Sequence, residues 1–396
     1  MTAVDVLIVG GGLTGCATAW HLAERGASVM LVEAGELNGG ASGQNAGSLH
    51  FQIERRFLEN GPALAEQASR VLALNRLAIQ DWRALDQQFG PAMEIVMHGG
   101  LMVAESNAEV ALLERKAARE AEFGVPTQLL DGAGVAAIAP YLSPGIRAAT
   151  WLADEGHANP RTITRLLAAR AIEGGAEVRS HTRLADIGRS AIGFQVTLAS
   201  GEGREQVRAD RVLLATGAAT MRTGVLFNLH LPVFPAGLTM TATERTAPMI
   251  GHLVQHVGRR LSMKQAESGN ILIGGGWASR LQRGDAGFDL ARPATIDPEA
   301  LRANLKAAAD TVPGVAALNI IRSWTGIVAL TADQLPLVGA VSRVPGLYVA
   351  AGGSGFTLGP TFARLLAADM AGERSGDGEL ALFSPDRFDH LNGFMG

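Results

Sequence analysis

Hydrophobic and polar residues alternate in three different ways along this chain of 396 residues. Up to residue 228, short apolar runs are followed by amphipathic stretches with helical spacing, which predicts strands joined by helices. Residues 229–320 instead contain short segments of alternating polarity, which are typical of antiparallel strands. Strand and helix patterns return after residue 322. We therefore expect a parallel α/β domain that is interrupted by a second domain with an antiparallel sheet.

The same pattern predicts the individual elements. Residues 94–103 are expected to form a hairpin that turns at His98, and residues 151–160 a turn-rich connection that carries His157. A histidine in such a turn is expected to be structural or solvated rather than a catalytic base. Helices are predicted at 16–25, 63–89, 109–123, 132–138, 161–173, 298–312 and 357–372. Strands are predicted at 6–9, 29–32, 177–180, 194–199, 209–217, 238–243, 252–256, 260–264, 270–274 and 347–356.

The first strand–helix–strand unit carries a glycine-rich turn. Its apolar run ends at Gly10, and Gly12 and Gly15 follow before the helix. Gly10 would make the tight turn, Gly12 would let backbone amides approach a pyrophosphate, and Gly15 would let the helix pack closely on the strand. Glu33 ends the second strand 18 residues after Gly15, close to where an acid binds ribose hydroxyls. This arrangement is the dinucleotide-binding fingerprint in its structural context.

Two further glycine-rich stretches allow a close approach to a ligand. One spans residues 39–48, and its composition alone is equally consistent with a surface loop. The other, 352–355, lies between a buried strand and a helix start, where free amides and the helix dipole attract an electron-rich group. The glycine triplet 274–276 is not followed by a helical pattern, so a strand end or a bulge is expected there.

Composition limits the classes of function. The 34 basic and 38 acidic residues give a net charge of −4, and no basic run indicates nucleic-acid binding. Cys16 is the only cysteine, which excludes an internal disulfide and a multi-cysteine zinc or iron–sulfur site, and no metal site is expected. No apolar stretch of about 18 residues predicts a membrane span. The first strand begins at residue 4 and leaves no room for a signal peptide, so a cytoplasmic location is expected.

Together, these motifs resemble the flavoprotein family of glycine oxidase, sarcosine oxidase and D-amino acid oxidase. The resemblance covers nearly the whole chain and implies FAD as the cofactor. It also implies oxidation of a carbon–nitrogen bond by hydride transfer from the α-carbon to the flavin N5. The matching segments are GGGLTG at 10–15, ASGQNAG at 41–47, DEGHANP at 154–160, ATGA at 215–218, WTG at 324–326, TAD at 331–333 and GGSGF at 352–356.

The resemblance also implies a domain organisation and a set of cofactor-binding residues. Residues 1–86, 146–224 and 324–396 are expected to form a discontinuous, Rossmann-like FAD-binding domain. Residues 87–145 and 225–323 are expected to form an α+β substrate-binding domain on an antiparallel sheet. The residues expected to bind FAD are Gly10, Gly12, Leu13, Thr14, Gly15, Glu33, Ala34, Ala41, Ser42, Asn45, Ala46, Gly47, Ser48, Val178, Thr216, Gly217, Gly353, Gly355, Phe356 and Thr357.

The chain departs from glycine oxidases where those enzymes bind the substrate carboxylate. Val328 stands where their Gly-Leu-Arg-Pro segment has an arginine, and a second arginine near the C-terminus is missing because residues 353–360 are GSGFTLGP. This ending, with the segments 44–50 and 274–277, looks more like the flavin (β) subunits of heteromeric dye-linked dehydrogenases. That group includes opine oxidase, proline or D-hydroxyproline dehydrogenase and heteromeric sarcosine oxidase.

The residues on the substrate side are less well defined. Lys264 lies in an alternating strand; in some relatives a basic residue near the flavin promotes reaction with oxygen, but here a lysine that faces water is expected. Hydride transfer needs no protein nucleophile, only a neutral amine and an α-carbon held about 3–3.5 Å from the flavin N5. Candidates for the catalytic site are His50, Lys264, Trp277, Arg322 and Trp324. Candidates for carboxylate binding are Arg55, Arg56, Arg260 and Arg322, although a surface or structural role is favoured over carboxylate binding for each of them.

Three functions stay open at this stage. The first is the catalytic subunit of a heteromeric dehydrogenase that oxidises an opine, proline, hydroxyproline or sarcosine. Its electrons would pass to a partner subunit that carries an iron–sulfur centre or a further flavin, with FMN at a subunit interface as one option. The second function is a stand-alone oxidase that forms peroxide. The third is a catalytically silent, flavin-binding assembly subunit.

Overall fold

The computed structural model of the protein describes residues 2–59, 61, 66–67, 69–190, 192–285, 287–373 and 378–395. The chain divides into two compact units. Unit 1 comprises Met1–Gln44, Pro160–Ala236 and Ile327–Gly396, and unit 2 comprises Asn45–Asn159 and Gly237–Gly326. These boundaries differ from those expected from the sequence, chiefly because residues 45–86 and 146–159 belong to unit 2.

The helices and strands are numbered in chain order. The helices are α1 (Leu13–Glu24), α2 (Ala41–Gln44), α3 (Arg55–Glu59), α4 (Leu72–Phe89), α5 (Asn107–Glu122), α6 (Gly132–Ile138), α7 (Ile163–Glu173), α8 (Thr220–Val225), α9 (Pro298–Thr311), α10 (Gly359–Met370) and α11 (Asp389–Met395). The strands are β1 (Thr2–Val9), β2 (Val29–Val32), β3 (Ser48–Leu49), β4 (Gly100–Ala104), β5 (Gln128–Asp131), β6 (Ala148–Leu152), β7 (Gly156–His157), β8 (Glu177–Arg179), β9 (Arg183–Arg189), β10 (Phe194–Ser200), β11 (Gly203–Leu214), β12 (Val233–Arg245), β13 (Leu253–His256), β14 (Ser262–Gln265), β15 (Asn270–Gly274), β16 (Ala278–Ser279), β17 (Arg283–Gly284), β18 (Gly287–Phe288), β19 (Ile320–Thr331), β20 (Leu337–Ala340) and β21 (Leu347–Ala351).

Unit 1 is built on a mainly parallel sheet in the order β20-β21-β11-β1-β2-β8. Strands β21, β11, β1, β2 and β8 are parallel neighbours, whereas β20 at one edge is antiparallel and β9 and β10 form an antiparallel extension of β11. Helix α1 packs against both α7 and α10. The apolar run Val6–Val9 of β1 and all four residues of β2 are buried, as apolar strands inside a parallel sheet require.

Unit 2 is built on a second sheet in the order β16-β12-β15-β14-β13-β4-β6-β5, with β19 beside β12. Its neighbours are antiparallel, except that β4 and β13 run parallel. Apolar residues from one face of this sheet pack with helices α6 and α9 in a separate core. The expected combination of an α/β fold with an antiparallel sheet in a second region is therefore confirmed.

Several local predictions were wrong. The hairpin expected at 94–103 does not form, because β4 pairs with β13 and β6, and Val96 forms an isolated bridge with His157. The connection expected at 151–160 contains the end of β6 and all of β7. The partners of these two segments are distant in the sequence, so the local pattern could not identify the pairing. By contrast, the helix predicted at 63–89 is largely confirmed: α4 runs from Leu72 to Phe89, residues 66, 67 and 69 are also helical, and residues 63–65 and 68 lie outside the described residues.

Candidate cofactor and substrate site

The turn between β1 and α1 accepts only glycine at two positions. Gly10 has a φ of +118°, and a Cβ atom built on it would lie 2.3 Å from the carbonyl oxygen of Ala215. A Cβ on Gly15 would lie 2.0 Å from the carbonyl oxygen of Gly10. Both distances are far below any van der Waals contact, so side chains are excluded. The turn therefore presents bare backbone at the N-terminus of α1, where unpaired N–H groups and the helix dipole favour an anion.

Glu33 is held beside this turn by two backbone amides. Its Oε2 accepts a hydrogen bond of 2.8 Å from Gly11 N–H, and its Oε1 accepts one of 2.8 Å from Gly35 N–H. Each carboxylate oxygen can accept more than one hydrogen bond, so the group retains capacity for a diol such as that of a ribose. The carboxylate is only partly buried, which leaves it accessible to a ligand.

A second helix start lies against the first. A Cβ built on Gly359, the first residue of α10, would lie 3.2 Å from both Leu13 Cδ2 and Thr14 Oγ1. The first turns of α1 and α10 therefore pack together, so their positive dipole ends are close. The turn that leads into α10 begins with Gly352 and Gly353, whose φ values are +71° and +62°.

The other predicted cofactor residues are divided between the two units. In unit 1, Ser42 Oγ accepts a 3.0 Å hydrogen bond from Leu13 N–H, which fixes α2 to the start of α1. Ala41 begins α2, the exposed Ala34 follows Glu33, Thr216 and Gly217 follow β11, and Val178 in β8 is the register partner of Leu31. The residues Gly355, Phe356 and Thr357 lie in the turn before α10. The residues Asn45, Ala46, Gly47 and Ser48 belong to unit 2.

The segment 45–53 of unit 2 is fixed by hydrogen bonds. Asn45 Oδ1 accepts a 2.5 Å hydrogen bond from Gly47 N–H, and the carbonyl oxygen of Gly47 accepts one of 2.9 Å from Ala158 N–H. Ser48 then pairs with His157 between β3 and β7. The glycine-rich stretch is therefore structured rather than an open surface loop from Asn45 onward.

A buried ion network holds the end of the same segment. Lys116 Nζ, which is fully buried, donates hydrogen bonds to Gln52 Oε1 at 2.7 Å and to Glu120 Oε2 at 2.9 Å. Glu120 Oε1 accepts a 2.6 Å hydrogen bond from Ile53 N–H. The buried Glu155 accepts hydrogen bonds from the backbone and side chain of Gln52. Burial raises the pKa of Glu155, while His50, Gln52 and Lys116 oppose that rise. Sequence reasoning missed this network, because a lysine and a glutamate four residues apart are typical of an exposed helix face.

The candidate catalytic residues of unit 2 do not form one cluster. His50 Nε2 lies 3.2 Å from Ser262 Oγ, and Trp277 Nε1 donates a 2.6 Å hydrogen bond to the carbonyl oxygen of Arg260. The exposed Arg322 lies over the ring of Trp324, with its Cζ 5.4 Å from the ring centroid. These contacts give Trp277 and Arg322 structural partners, and they do not identify a side chain that would take part in the reaction.

The arginines considered for carboxylate binding also have partners. Arg55 donates to the carbonyl oxygen of Val257 at 3.1 Å and forms an ion pair of 2.6 Å with Glu59. Arg56 pairs with Glu54 at 3.1 Å, and Arg260 lies 3.9 Å from Glu59.

The expectation that Lys264 faces water is wrong. Its side chain is 2% exposed, and it lines a small cleft together with His98, His157 and His252. Burial lowers the pKa of Lys264 to about 7, against the attraction of nearby acidic side chains. Burial, with Lys264 and His98, lowers the pKa of His157 to about 3. Alternating polarity predicted the strand correctly but could not predict that its polar face is covered.

Comparison with known proteins identifies the family. A model of the family DAO, described as FAD dependent oxidoreductase, matches residues 5–369. The chain belongs to this family. One of the subunits of the opine oxidase of Rhizobium meliloti is 26% identical over 392 residues, which are 98% of this chain and 99% of that relative. Glycine oxidase of Geobacillus kaustophilus is 28% identical over 392 residues, which are 97% of each chain.

Solved structures of family members share the fold. The crystal structure of the G. kaustophilus glycine oxidase aligns with a TM-score of 0.83 and 25% identity over 98% of this chain and 99% of that one. The structure of L-proline dehydrogenase from P. horikoshii aligns with the same TM-score of 0.83 over the same shares, but at 22% identity it supports the fold alone. The expected FAD and oxidoreductase activity are confirmed at the level of the family, and nothing found supports an FMN.

The residues of unit 1 fit FAD. The bare turn at Gly10 and Gly15 leaves room for a pyrophosphate at the start of α1, and Glu33 is positioned to accept hydrogen bonds from a ribose. The start of α10 supplies a second positive dipole end for an electron-rich ring. Among the described residues, no group of three His, Cys, Asp or Glu side chains could hold a metal ion. Within the described part of the chain, no helix has the length and apolar character needed to cross a membrane.

Proposed function

We propose that this protein oxidises the carbon–nitrogen bond of an amino acid or secondary amine, with FAD as the hydride acceptor. In this proposal FAD is bound mainly by the predicted cofactor residues of unit 1, with the segment 45–48 of unit 2 as a further contact, and unit 2 binds the substrate. The observation that carries the proposal is the glycine turn with Glu33 fixed beside it, in a chain of the FAD-dependent oxidoreductase family. The relatives named above are called opine oxidase and glycine oxidase, and both names denote substrates with an oxidisable C–N bond.

The chain's own groups support this chemistry without a protein nucleophile. FAD, when bound, supplies the capacity to take a hydride from the substrate α-carbon. The protein must hold the substrate with its amine neutral, because the nitrogen lone pair assists cleavage of the adjacent C–H bond. In this proposal the positive end of α10 favours the negative charge that reduction places on the flavin, and the positive end of α1 favours the pyrophosphate.

We further propose that the chain is the catalytic subunit of a heteromeric dehydrogenase and acts on an N-substituted amino acid such as an opine, proline or hydroxyproline. Two observations support this choice. The first is the similarity to the opine oxidase relative over 98% of the chain. The second is the absence of the two arginines at the positions described above. Electrons would leave to a partner subunit or a dye-like acceptor. Because the chain has one cysteine, any iron–sulfur centre on that route must belong to another subunit.

The test is anaerobic reduction of the full-length protein reconstituted with FAD. Opines, proline, hydroxyproline, sarcosine and D-amino acids are mixed with it one at a time, and loss of the visible absorbance of oxidised flavin is followed. We expect at least one N-substituted amino acid to bleach the flavin within seconds to minutes. No bleaching by any amino acid or amine, with the flavin fully bound, would refute the proposed reaction.

A stand-alone oxidase is the second candidate, and the similarity to glycine oxidase over 97% of both chains favours it. The two candidates differ in their electron acceptor. With a substrate that bleaches the flavin, turnover of the isolated chain is compared with an artificial dye and with air. We expect dye reduction that greatly exceeds peroxide formation. Peroxide formation as fast as dye reduction would instead support the oxidase.

A further inference from the structure

The chain contains three lysines, and two of them are buried. Lys116 is surrounded by the oxygens of Gln52, Glu120 and Thr150, with which it forms hydrogen bonds of 2.7–3.1 Å. Lys264 is 2% exposed, yet its Nζ has no hydrogen-bond or ion-pair partner among the described residues. A buried ammonium group without a partner is costly, and such groups are usually paired or hold a ligand. Lys264 therefore requires an explanation that Lys116 does not.

The surroundings of Lys264 form a cleft within unit 2. It is lined by the side chains of His98, His157 and His252 and by the segments 96–99 and 250–253. Among the described residues that line the cleft, none is acidic. Neutral imidazoles can each donate one hydrogen bond to an anion. His252 Nδ1 lies 2.9 Å from Tyr141 Oη, and His157 is hydrogen-bonded to the backbone of Gln265. The cleft thus offers one cation and a donor from His98, without a protein carboxylate to occupy them.

Two acidic side chains act on Lys264 from outside the cleft lining. Glu94 and Glu267 both raise its pKa, although burial has the larger, opposite effect. Glu94 Oε1 already accepts a 2.9 Å hydrogen bond from Asn159 Nδ2. Neither acid makes a hydrogen bond or an ion pair with Lys264 within the described part of the chain. When Lys264 is protonated, an anion that enters the cleft can therefore supply the partner that these acids do not.

The four arginines that the sequence suggests for carboxylate binding, Arg55, Arg56, Arg260 and Arg322, each have a partner among the described residues. On the basis of the proposed function, we propose that Lys264, with a hydrogen-bond donor from His98, binds the carboxylate of the amino-acid substrate. The ammonium would form a charge-assisted hydrogen bond with one carboxylate oxygen, and the imidazole of His98 would donate a hydrogen bond to the other. Lys264 would thus take the carboxylate-binding role of the arginine that glycine oxidases have at the position of Val328.

Binding is coupled to protonation. With a pKa of about 7, Lys264 is largely neutral at pH 8 in the free protein. A carboxylate in the cleft stabilises the charged form, since an opposite charge raises the pKa of an ammonium group. Binding of one carboxylate at pH 8 should therefore draw close to one proton from the solvent. Arginine at the same position is already protonated and would draw none.

The experiment uses the full-length FAD-loaded protein and cyclopentanecarboxylate, which has no C–N bond and cannot be oxidised by the proposed reaction. Calorimetric titrations in two buffers with different ionisation enthalpies give both the affinity and the number of protons taken up. Cyclopentanecarboxamide is the uncharged comparison ligand. We expect carboxylate binding with proton uptake at pH 8 and at least about tenfold weaker binding of the amide.

Three variants test the assignment. Lys264→Met should weaken carboxylate binding about 10- to 100-fold and abolish proton uptake. Lys264→Arg should retain measurable carboxylate binding without proton uptake, a result that a purely structural lysine would not give. Lys306→Met is the matched control, since Lys306 is exposed and pairs with Asp310 at 2.8 Å, and it should bind as the unaltered protein does.

The outcomes separate this inference from the proposed function. If Lys264→Met binds the carboxylate with unchanged affinity and proton uptake, the inference is wrong, even if an amino acid reduces the flavin. If no amino acid reduces the flavin but carboxylate binding depends on Lys264, the anion site stands and the proposed reaction fails. With a true substrate, Lys264→Met should raise KM by a similar 10- to 100-fold factor and change kcat much less, because binding is lost rather than chemistry.

Discussion

The buried pair of Lys116 and Glu120 allows a strong prediction about stability. Both side chains are fully buried, and Lys116 Nζ lies 2.8 Å from Glu120 Oε1. Lys116→Met keeps the length of the side chain but removes its charge. Glu120 then keeps the hydrogen bond from Ile53 N–H but loses its cation, in a place that water does not reach. Breaking a buried pair on one side typically costs about 3–5 kcal/mol.

The size of the stability loss in Lys116→Met depends on which partners of Lys116 lose a hydrogen bond. Gln52 Oε1 also loses the ammonium group, although it still accepts a 2.8 Å hydrogen bond from Thr150 Oγ1. The uncompensated charge of Glu120 is therefore the main cost. Lys116→Met/Glu120→Gln removes that charge while a side-chain oxygen can still accept from Ile53 N–H. The double variant should regain most of the lost free energy, since neutral replacement of a buried pair is often nearly neutral in stability.

Hydrogen exchange is the appropriate assay, because unfolding of a chain with two compact units is not expected to follow a two-state transition. The amide of Ile53 donates directly to Glu120, and the amides of Phe51 and Gln52 donate to Glu155. A cost of about 3–5 kcal/mol corresponds to about 10²- to 10⁴-fold faster exchange of peptides that cover these amides. Lys306→Met, at an exposed pair, should change their exchange less than about threefold.

Two results would refute this reasoning. Exchange of the peptides around Ile53 that stays unchanged in Lys116→Met would mean that the pair contributes nothing to the local structure. A double variant that exchanges as fast as the single variant would mean that lost packing, rather than an uncompensated carboxylate, causes the effect.

Three further predictions concern other parts of the chain. Gly15→Ala should weaken FAD binding at least about tenfold, because the new Cβ would lie 2.0 Å from the carbonyl oxygen of Gly10. Titration followed by flavin fluorescence measures the affinity. The control is Gly201→Ala, whose new Cβ meets nothing within 4 Å and which should bind FAD normally. Cys16 should resist alkylation at pH 8 in the native protein, because burial and, to a smaller extent, Glu33 raise the pKa of its thiol to about 12. Mass spectrometry should detect full alkylation only in denaturant. Alkylation of Cys16 in the native protein at the rate of a free thiol would contradict this. The lowered pKa of Lys264 means that the unfolded chain binds a proton between about pH 7 and 10.5 that the folded chain does not. The free energy of the opening that exposes Lys264 should therefore rise with pH relative to Lys264→Met in that window, by up to about 1.4 kcal/mol per pH unit. Hydrogen exchange of peptides that cover β14, corrected for the intrinsic exchange rate, measures this at pH 7 and 9; the same difference between the two proteins at both pH values would contradict it.

The sequence predicted most of unit 1 because its signals are local. The strand before Gly10, the helix after Gly12 and the acid at Glu33 are determined by short-range requirements of a tight turn and a close helix packing. The observed bounds of β2, Val29–Val32, coincide with those predicted. The close approach of α10 to α1 could not be derived in this way, because nothing in residues 352–360 specifies that Gly359 lies against Leu13.

Unit 2 was harder to predict because its sheet joins distant segments. The parallel pair of β4 and β13 brings residues 100–103 beside 253–256, and no turn between them marks that pairing. The local pattern around His98 therefore favoured a hairpin that does not exist. The burial of the polar face of β14 follows from the same non-local packing, so an alternating segment correctly predicted the strand but gave the wrong exposure for Lys264.

The two buried lysines illustrate how structure adds to the sequence at a candidate site. In the sequence, Lys116 belongs to an amphipathic helix and Lys264 to an alternating strand, and neither pattern indicates a buried charge. Burial makes each of them costly, so each must be compensated. The network around Lys116 supplies that compensation from within the chain, and the result is a fixed segment at Gln52 and Ile53. The cleft around Lys264 supplies none, and a carboxylate ligand is the compensation that its charge and neighbours favour.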